Sequence, residues 1–366
     1  MEKNNKKALL ISYYFDPFPG VGAKRISYWA NNLWKYNYDV DVISAYQPDD
    51  SEHYRLFHLP EVQKHTLSSL VKDKGLGWSK TIKSFIKSND LPSYDFILIS
   101  GGPFMHMGLG KMLKNKFPNC KLILDFRDPF ANNPRFNDKG LRKWIKLYFE
   151  KKFLKYSDIV VTVNNYCSSL INNKFNQTKI IQNGFDDSIL ESSISTNDSS
   201  IPGRLIYTGA FYADRNPECF LKTISSTNTQ FEFHHIGEQS DFLSGYRTHK
   251  NITEHGFHDY SYAINEIRKS EVGLIITKGD AFESTTKIFD YIGCGKKILI
   301  ITEGKPYTGS LHQITKDYPN VFWTKNEEQQ IKLALEKIKT TPLHSFNASR
   351  FSRAESLRQL ITVTEL

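Results

Sequence analysis

The sequence has few cysteines, no long apolar run and no spacing typical of a metal site, and each lack excludes a class of protein. Its four cysteines are scattered along 366 residues. They form neither paired metal-binding spacings nor a disulfide framework, which favours a reducing cytoplasm. No apolar run approaches the roughly 20 residues that span a bilayer. The polar first residues lead directly into a strand, so we expect neither a signal peptide nor a transmembrane helix.

The formal net charge is +9, which indicates an anionic partner such as nucleic acid, a lipid headgroup or a phosphorylated ligand. The basic residues coincide with candidate phosphate positions and with one amphipathic helix. No ribonucleoprotein or helix-turn-helix pattern appears, so we expect no nucleic-acid partner.

The length exceeds that of one ordinary hydrophobic core and predicts two domains. Strands alternate with helices, which predicts an α/β fold of parallel sheets covered on both faces. We predict an N-terminal domain over residues 1–187, a Ser-rich linker over 188–202, a second domain over 203–345 and a C-terminal helix over 346–366 that returns to the first domain. Residues 49–93 are interpreted as a loop followed by one or two surface helices.

A glycine loop follows the first strand. Gly20 and Gly22 lie where a backbone can approach a phosphate closely, and Lys24 and Arg25 at the start of the next helix favour an anion there. A tight turn explains the same spacing.

Polar residues follow two later strands of the first half, at the edge where parallel sheets bind ligands. His106 follows one of these strands, and Asp125, Arg127 and Asp128 end the next. The alternative for His106 is a solvated residue in a first helical turn. The alternative for the three charged residues is an internal ion pair that fastens two loops.

The stretch 283–300 predicts a turn, a short helix and a buried strand. Thr286 and its neighbours can cap the helix, and Lys287 in the first turn, beside free backbone N–H groups, suits a phosphate. Asp290, one turn further, can accept hydrogen bonds from a ribose diol. The alternative is an ordinary capped helix whose charges face water.

Gly209 and Arg215 follow the first strand of the second half. This position is again the carboxyl edge, where an arginine can hold a phosphate oxygen. The alternative for Arg215 is a surface residue with no ligand.

Several motifs together resemble family 4 glycosyltransferases, whose GT-B architecture has two facing Rossmann-like domains. The motifs are FDPFPGVGAKRISYWANNL, SGGPFMHMGLGKMLKNKF, LDFRDPF, QNGFD, YTGAFYADRNP and TTKIFDYIGCGKKIL. The resemblance covers nearly the whole chain. Its most specific part is the pair of motifs that contain His106 and Asp125. One departure is clear: the family's E-x7-E pair ends here at Asp290, and the position of its first Glu is Phe282, with Glu283 displaced by one.

The resemblance implies a role for each candidate residue. Arg215 and Lys287 would bind the pyrophosphate and Asp290 the ribose, with Gly209 and Thr286 beside them. The glycine loop of the first domain would approach the phosphates, His106 would face the sugar, and the charged residues 125–128 would shape the acceptor side.

The resemblance also implies an activity. We expect a retaining, metal-independent hexosyltransferase without a cofactor, which moves a sugar from a nucleotide-diphosphate donor to a hydroxyl of a growing glycan in cell-surface polysaccharide synthesis. A nucleotide-sugar epimerase of the same fold is one alternative. A non-catalytic nucleotide-sugar-binding partner subunit, which the missing first Glu allows, is the other.

The helix predicted over residues 139–156 combines large apolar residues with many cations. In one interpretation its apolar side enters an anionic membrane surface on the inner face of the cell membrane, where a lipid-linked acceptor would lie. In a second, the apolar residues pack on the sheet and the cations face water. In a third, only the cations touch lipid. The cations concerned are Lys139, Arg142, Lys143, Lys146, Lys151, Lys152 and Lys155.

Overall fold

A computed structural model of the chain describes residues 5–18, 20–47, 51–61, 71, 73–136, 138–171, 177–189, 200–226 and 230–366. The chain forms two compact units. The first comprises Met1–Asn183 together with Ser356–Leu366, and the second comprises Gly184–Glu355. Most of the predicted linker, 188–202, lies outside the described residues.

The first unit contains a seven-stranded sheet in the order β3-β2-β1-β4-β5-β6-β7. All of its neighbouring strands pair in parallel. The strands are β1 (Lys6–Ser12), β2 (Tyr38–Ser44), β3 (Arg55–His58), β4 (Phe96–Ser100), β5 (Lys121–Phe126), β6 (Ile159–Thr162) and β7 (Gln177–Ile180). The strand order reverses between β1 and β4, so the loops that follow these two strands diverge and leave a crevice between them.

Helices cover both faces of this sheet, because its strands are apolar on both sides. The α-helices are α1 (Val21–Asn32), α2 (Gly75–Ser88), α3 (Gly110–Lys116), α4 (Gly140–Tyr156) and α5 (Asn165–Leu170). Short 3-10 helices occupy Leu33–Tyr36 and Met105–Leu109.

The second unit contains a six-stranded parallel sheet in the order β10-β9-β8-β11-β12-β13. Its strands are β8 (Ile201–Thr208), β9 (Glu232–Ile236), β10 (Ile252–Gly256), β11 (Ser270–Thr277), β12 (Lys297–Thr302) and β13 (Val321–Lys325). Its α-helices are α6 (Glu218–Ser225), α7 (Tyr260–Lys269), α8 (Lys287–Gly293), α9 (Gly309–Thr315) and α10 (Glu328–Thr340). Here the strand order reverses between β8 and β11.

The last helix, α11 (Arg353–Glu365), returns to the first unit as predicted. Leu357, Leu360 and Ile361 are buried in the same apolar cluster as Trp29 of α1. The Trp29 indole N–H donates to the Ser356 hydroxyl at 3.1 Å, so the contact is both apolar and directional. The prediction of two parallel α/β domains with a returning C-terminal helix is confirmed.

The interpretation of residues 49–93 was right in predicting a surface helix but missed one strand. The helix is α2, with Lys80, Lys83 and Lys87 exposed and Trp78, Ile82 and Ile86 in the core. The missed element is the edge strand β3. A four-residue edge strand of mixed polarity gives almost no periodic signal, which is why β3 was missed. Strand β10 and helices α7 and α9 of the second unit were likewise not predicted.

Candidate functional site

The candidate nucleotide site lies at the carboxyl edge of the second sheet, where the strand order reverses. Gly209 and Arg215 are in the loop after β8, and Glu283 is in the loop after β11. These strands are neighbours, so the fold brings together residues about 70 positions apart in the sequence. Crevices of this kind bind ligands in open parallel sheets.

Lys287 is the first residue of α8. Its ammonium lies 3.5 Å from the centre of the Tyr207 ring, and a Cβ on Gly209 would lie 3.6 Å from Nζ. Gly209 has φ +105°, a conformation that favours glycine. Burial, followed by the charge of Arg215, lowers the pKa of Lys287 to about 7. An anion beside this lysine would restore its charge.

Arg215 is held by a buried carboxylate. Its Nη2 lies 2.7 Å from Oε1 of Glu283, while Nε has no partner among the described residues. The other oxygen of Glu283 accepts from the Thr277 hydroxyl and, at 3.3 Å, from the Gly279 N–H. Both carboxylate oxygens are therefore engaged, and the guanidinium is fixed in direction.

Arg215 and Lys287 converge on one small concavity. Its other lining residues include Thr277, Glu283 and Thr285. Arg215 and a protonated Lys287, against the one carboxylate, give a net positive charge beside the apolar side chains of Ile275, Ile276 and Leu311. Such a place favours an anion with more than one negative charge.

Asp290 lies one helical turn after Lys287, as predicted, and is not isolated in solvent. Its Oδ1 accepts a hydrogen bond of 2.7 Å from the Tyr260 hydroxyl. Burial, then the nearby Asp290 charge, raises the pKa of Tyr260, so Tyr260 remains a donor at neutral pH. Thr286 precedes α8 but its side chain caps nothing, so the predicted side-chain cap from this residue was wrong.

The glycine loop of the first unit has protein neighbours where a phosphate was predicted. A Cβ on Gly20 would lie 2.2 Å from the Phe18 ring, and one on Gly22 would lie 3.1 Å from Nη1 of Arg127. Arg127 donates to the carbonyl oxygens of Gly22 and Gly101. The two glycines thus make room for internal contacts, and their approach to a phosphate stays a prediction.

The three charged residues at the end of β5 have different surroundings. Asp125 is buried, accepts from the Ser100 hydroxyl at 3.1 Å and lies 3.4 Å from Arg25. Arg127 fastens two loops, and burial lowers its pKa. Asp128 is exposed. The first two therefore have structural tasks, and Asp128 is the most open of the three to a ligand from solvent.

Arg25 was predicted to favour an anion near the glycine loop, but it is buried. It donates to the carbonyl oxygens of Ile181 and Gln182 at 2.9 and 3.0 Å. Its charge is thus used to hold the end of the first unit.

His106 is fully buried, which excludes the alternative of a solvated residue. Its Nε2–H donates to the Ser100 carbonyl at 3.0 Å, its ring meets Trp78 edge to face, and Nδ1 has no partner among the described residues. Burial lowers its pKa to about 3, so the ring is neutral. Contact with a sugar stays a prediction and requires these neighbours to open.

The sequence did not reveal the roles of Glu283, Tyr260 and Tyr207. Glu283 was noted only as displaced by one from a motif position, and its pairing with Arg215 depends on the adjacency of β8 and β11. Thr277 ends a strand, a Lys-Gly pair follows it, and Glu283 comes four residues after the glycine. This sequence was the available signal for a turn that a carboxylate closes.

Among the residues that the structure describes, no three His, Cys, Asp or Glu side chains lie close enough to hold a metal ion. Within the same part of the chain, no helix combines the length and apolarity needed to cross a membrane. The expectation of a metal-independent reaction stays a prediction.

No protein-family model matches the chain, and no curated protein sequence matches it. Solved structures do match it in fold. A glycosyltransferase from Rickettsia africae has a TM-score of 0.66 and 16% identity, covering 99% of this chain and 98% of the other. HepE of Anabaena, solved with UDP and glucose, has a TM-score of 0.66 and 13% identity over 99% and 100%.

A UDP-GlcNAc 2-epimerase of Methanocaldococcus jannaschii is more distant. Its TM-score is 0.53 at 12% identity, over 98% and 99% of the chains. At these identities the likeness shows the fold, which is GT-B, as the sequence predicted.

Proposed function

We propose that this protein transfers a sugar from a nucleotide-diphosphate donor to a hydroxyl group of a glycan. The observation that carries the proposal is the convergence of Arg215 and Lys287 on one concavity at the strand-order reversal, with Asp290 one turn away. A pyrophosphate at the two cations would place the ribose near Asp290. The fold neighbours agree, since one is a glycosyltransferase and another was solved with UDP and glucose.

In the proposed reaction, the bond between the sugar C1 and the β-phosphate oxygen breaks, the acceptor oxygen bonds to C1, and the proton of the acceptor hydroxyl passes to the leaving diphosphate. The leaving diphosphate gains negative charge as the bond breaks. Arg215 and a protonated Lys287 stabilise that charge electrostatically in a partly buried site. We propose retention of the C1 configuration on the strength of the motif resemblance.

The finer assignments extend this proposal to the first unit. We place the acceptor on that side, with the exposed Asp128 as the group that meets it. Asp125 and Arg127 hold the loops that present Asp128, and His106 supports the strand end behind them. The glycan is proposed to belong to cell-surface polysaccharide synthesis, and the sugar to be a hexose.

The test is transfer of radiolabelled sugar from nucleotide donors to glycan acceptors, compared with donor hydrolysis alone. Transfer that disappears in Arg215→Ala and in Lys287→Ala supports the proposal. Transfer that persists at wild-type rate in both variants would place the reaction elsewhere.

The second candidate is a nucleotide-sugar epimerase, favoured by the fold likeness to the UDP-GlcNAc 2-epimerase. An epimerase needs no acceptor. Incubation with donor alone, followed by chromatography of the sugar nucleotide, separates the two: an isomer formed without acceptor supports the epimerase and contradicts transfer as the main activity.

We further propose that α4 contacts an anionic membrane surface, where a lipid-linked acceptor would lie. Three large apolar side chains of α4 are exposed, Leu141 66%, Trp144 65% and Tyr148 46%, as is Phe136 65% just before the helix. The Trp144 and Tyr148 rings stack with centroids 6.1 Å apart. Lys151, Lys152 and Lys155, further along the same helix, are exposed as well.

This arrangement differs from the sequence-based interpretations of the helix. Ile145 and Phe149 pack on the core, but Leu141, Trp144 and Tyr148 do not lie in it, so the purely internal interpretation is wrong for these three. Lys146 is buried against Asp138, and Lys143 donates to the Ala131 carbonyl at 2.7 Å. These two lysines are therefore unsuited to a lipid contact.

The membrane proposal is tested by vesicle co-sedimentation with anionic and neutral lipid. Lysines near an anionic surface contribute on the order of 1 kcal/mol each. Replacement of Lys151, Lys152 and Lys155 by Gln should therefore release the protein at moderate salt, and Trp144→Ala should weaken binding at all salt concentrations. The matched control replaces the exposed Lys80, Lys83 and Lys87 of α2 by Gln. Equal loss in the control, or binding indifferent to lipid charge, contradicts the proposal.

A further inference from the structure

The hydrogen-bond partners of Glu283 differ from those expected of a carboxylate that binds a sugar. It is buried, and both of its oxygens are engaged by protein donors: Arg215 on one, the Thr277 hydroxyl and the Gly279 N–H on the other. A carboxylate so occupied has little capacity left for sugar hydroxyls.

Arg215 depends on this one carboxylate for its direction. It lies in the loop after β8, its side chain is 17% exposed, and Glu283 is its ion-pair partner at 2.7 Å. The Tyr212 ring lies beside the guanidinium, 5.5 Å from Cζ. An arginine side chain loses considerable rotamer freedom when it is fixed. Because Glu283 already holds the Arg215 side chain, this loss of rotamer entropy does not have to occur when a ligand binds.

The held guanidinium points into the concavity that Lys287 also lines. The charge of Arg215 contributes to the lowered pKa of Lys287, so the two cations are close enough to repel. Glu283 binds Nη2 of Arg215, and the Nε–H has no partner among the described residues.

We propose that Glu283 is a positioning residue for the diphosphate: it holds Arg215 in the direction that receives the second phosphate and does not itself touch the sugar. This inference rests on the proposed function, because it assigns a task within the same nucleotide site. It gives the displaced carboxylate a role that its position in the sequence does not suggest.

The experiment uses calorimetry with the nucleoside diphosphate that most raises the melting temperature among UDP, GDP, ADP and dTDP, and with the matching monophosphate. Glu283→Ala should weaken diphosphate binding about tenfold, or about 1.4 kcal/mol, and monophosphate binding much less. In an Arg215→Ala background the same change should cause no further loss, because the two residues act as one unit.

Two comparisons keep the test decisive. Asp280→Ala removes the same charge from the same loop, where Asp280 is exposed and its side chain lies 3.8 Å from Lys278. It should leave both affinities unchanged. Glu283→Gln retains the size of the side chain and one acceptor oxygen for Arg215 but loses the charge and the bond from the Gly279 N–H, and it carries the test if the alanine variant does not fold. Its expected loss is smaller but again confined to the diphosphate.

Three results would overturn the inference. Unchanged diphosphate affinity with reduced affinity for the sugar nucleotide would place Glu283 on the sugar. Tighter diphosphate binding by Glu283→Ala would show that Glu283 acts only as a negative charge that repels the ligand. Additive losses in the double variant would show independent roles. If the wild-type protein binds no diphosphate, the proposed function itself fails, and the inference fails with it.

Discussion

Nucleotide binding should weaken as pH rises above 7. Lys287 loses its proton in this range, and the bound phosphate needs the protonated, positively charged form of this lysine. The pKa of this lysine is lowered to about 7 in the unliganded protein, first by burial and then by Arg215. A phosphate beside the ammonium favours the charged form and raises the pKa again. Binding above pH 7 therefore takes up a proton.

The size of the effect follows from the fraction of Lys287 that is charged before binding. With a pKa of about 7, roughly half is charged at pH 7 and about one hundredth at pH 9. If the bound state is fully protonated, linkage predicts that the dissociation constant rises about 50-fold between these two pH values.

The assay is calorimetric titration with a nucleoside diphosphate at pH 7, 8 and 9. Lys287→Arg is the control, because an arginine stays charged throughout this range. The ligand's own ionisation affects both proteins equally, so the ratio of their dissociation constants reports Lys287. Titration in two buffers of different ionisation enthalpy measures the proton directly, at nearly one per ligand at pH 8.

Parallel pH profiles for wild type and Lys287→Arg, together with no proton uptake at pH 8, would refute this reasoning. In that case Lys287 is either charged before binding or remote from the phosphate.

The remaining predictions concern single residues. Lys287→Ala and Asp290→Ala should each weaken diphosphate binding by roughly 1 to 3 kcal/mol, Asp290→Ala should also lower the melting temperature because it removes the acceptor of the Tyr260 hydroxyl, and unchanged affinity in both would leave α8 an ordinary helix. Asp128→Asn should lower turnover without changing donor affinity or stability, since the side chain is exposed; equal loss of donor binding would move Asp128 to the nucleotide. His106→Ala removes a buried ring and should cost about 2 to 4 kcal/mol of unfolding free energy, measurable by urea denaturation, and an unchanged midpoint would contradict its burial. Asp125→Asn should lower the free energy of unfolding by about 3 to 5 kcal/mol, because it leaves Arg25 buried without its charge partner. An unchanged midpoint in the same urea denaturation would contradict this prediction.

The sequence predicted the sheets well because their strands are continuous apolar runs, which parallel sheets covered on both faces require. Strand β12, for example, is buried along its whole length. The end of α8 was also predictable, since Gly295 has φ +66° and ends the helix as glycine commonly does. Short edge strands such as β3 carry no such pattern.

Contacts between distant residues could not be predicted in the same way. Gly22 was interpreted as a phosphate neighbour, but the side chain it makes room for belongs to Arg127, 105 residues later. That proximity depends on the strand order of the sheet, which the local sequence does not contain. The same reason hid the pairing of Arg215 with Glu283.

The burial of charged residues was also not predictable from the sequence. Lys146 and Glu150 of α4 are buried, whereas Leu141 and Trp144 are exposed. This inverts the usual rule that apolar residues face the core. The contacts of Lys146 with Asp138 and of Glu150 with the Ala131 N–H help to explain the inversion.

The central claim is that the second unit binds a nucleoside diphosphate at Arg215 and Lys287, and the melting temperature of the full chain tests it most directly. A ligand at about 100 times its dissociation constant stabilises the native state by about 2.7 kcal/mol. We predict that at least one nucleoside diphosphate raises the melting temperature of the wild type, that its monophosphate does so less, and that the Arg215→Ala/Lys287→Ala variant does not respond. A diphosphate that stabilises the double variant as much as the wild type would contradict the account.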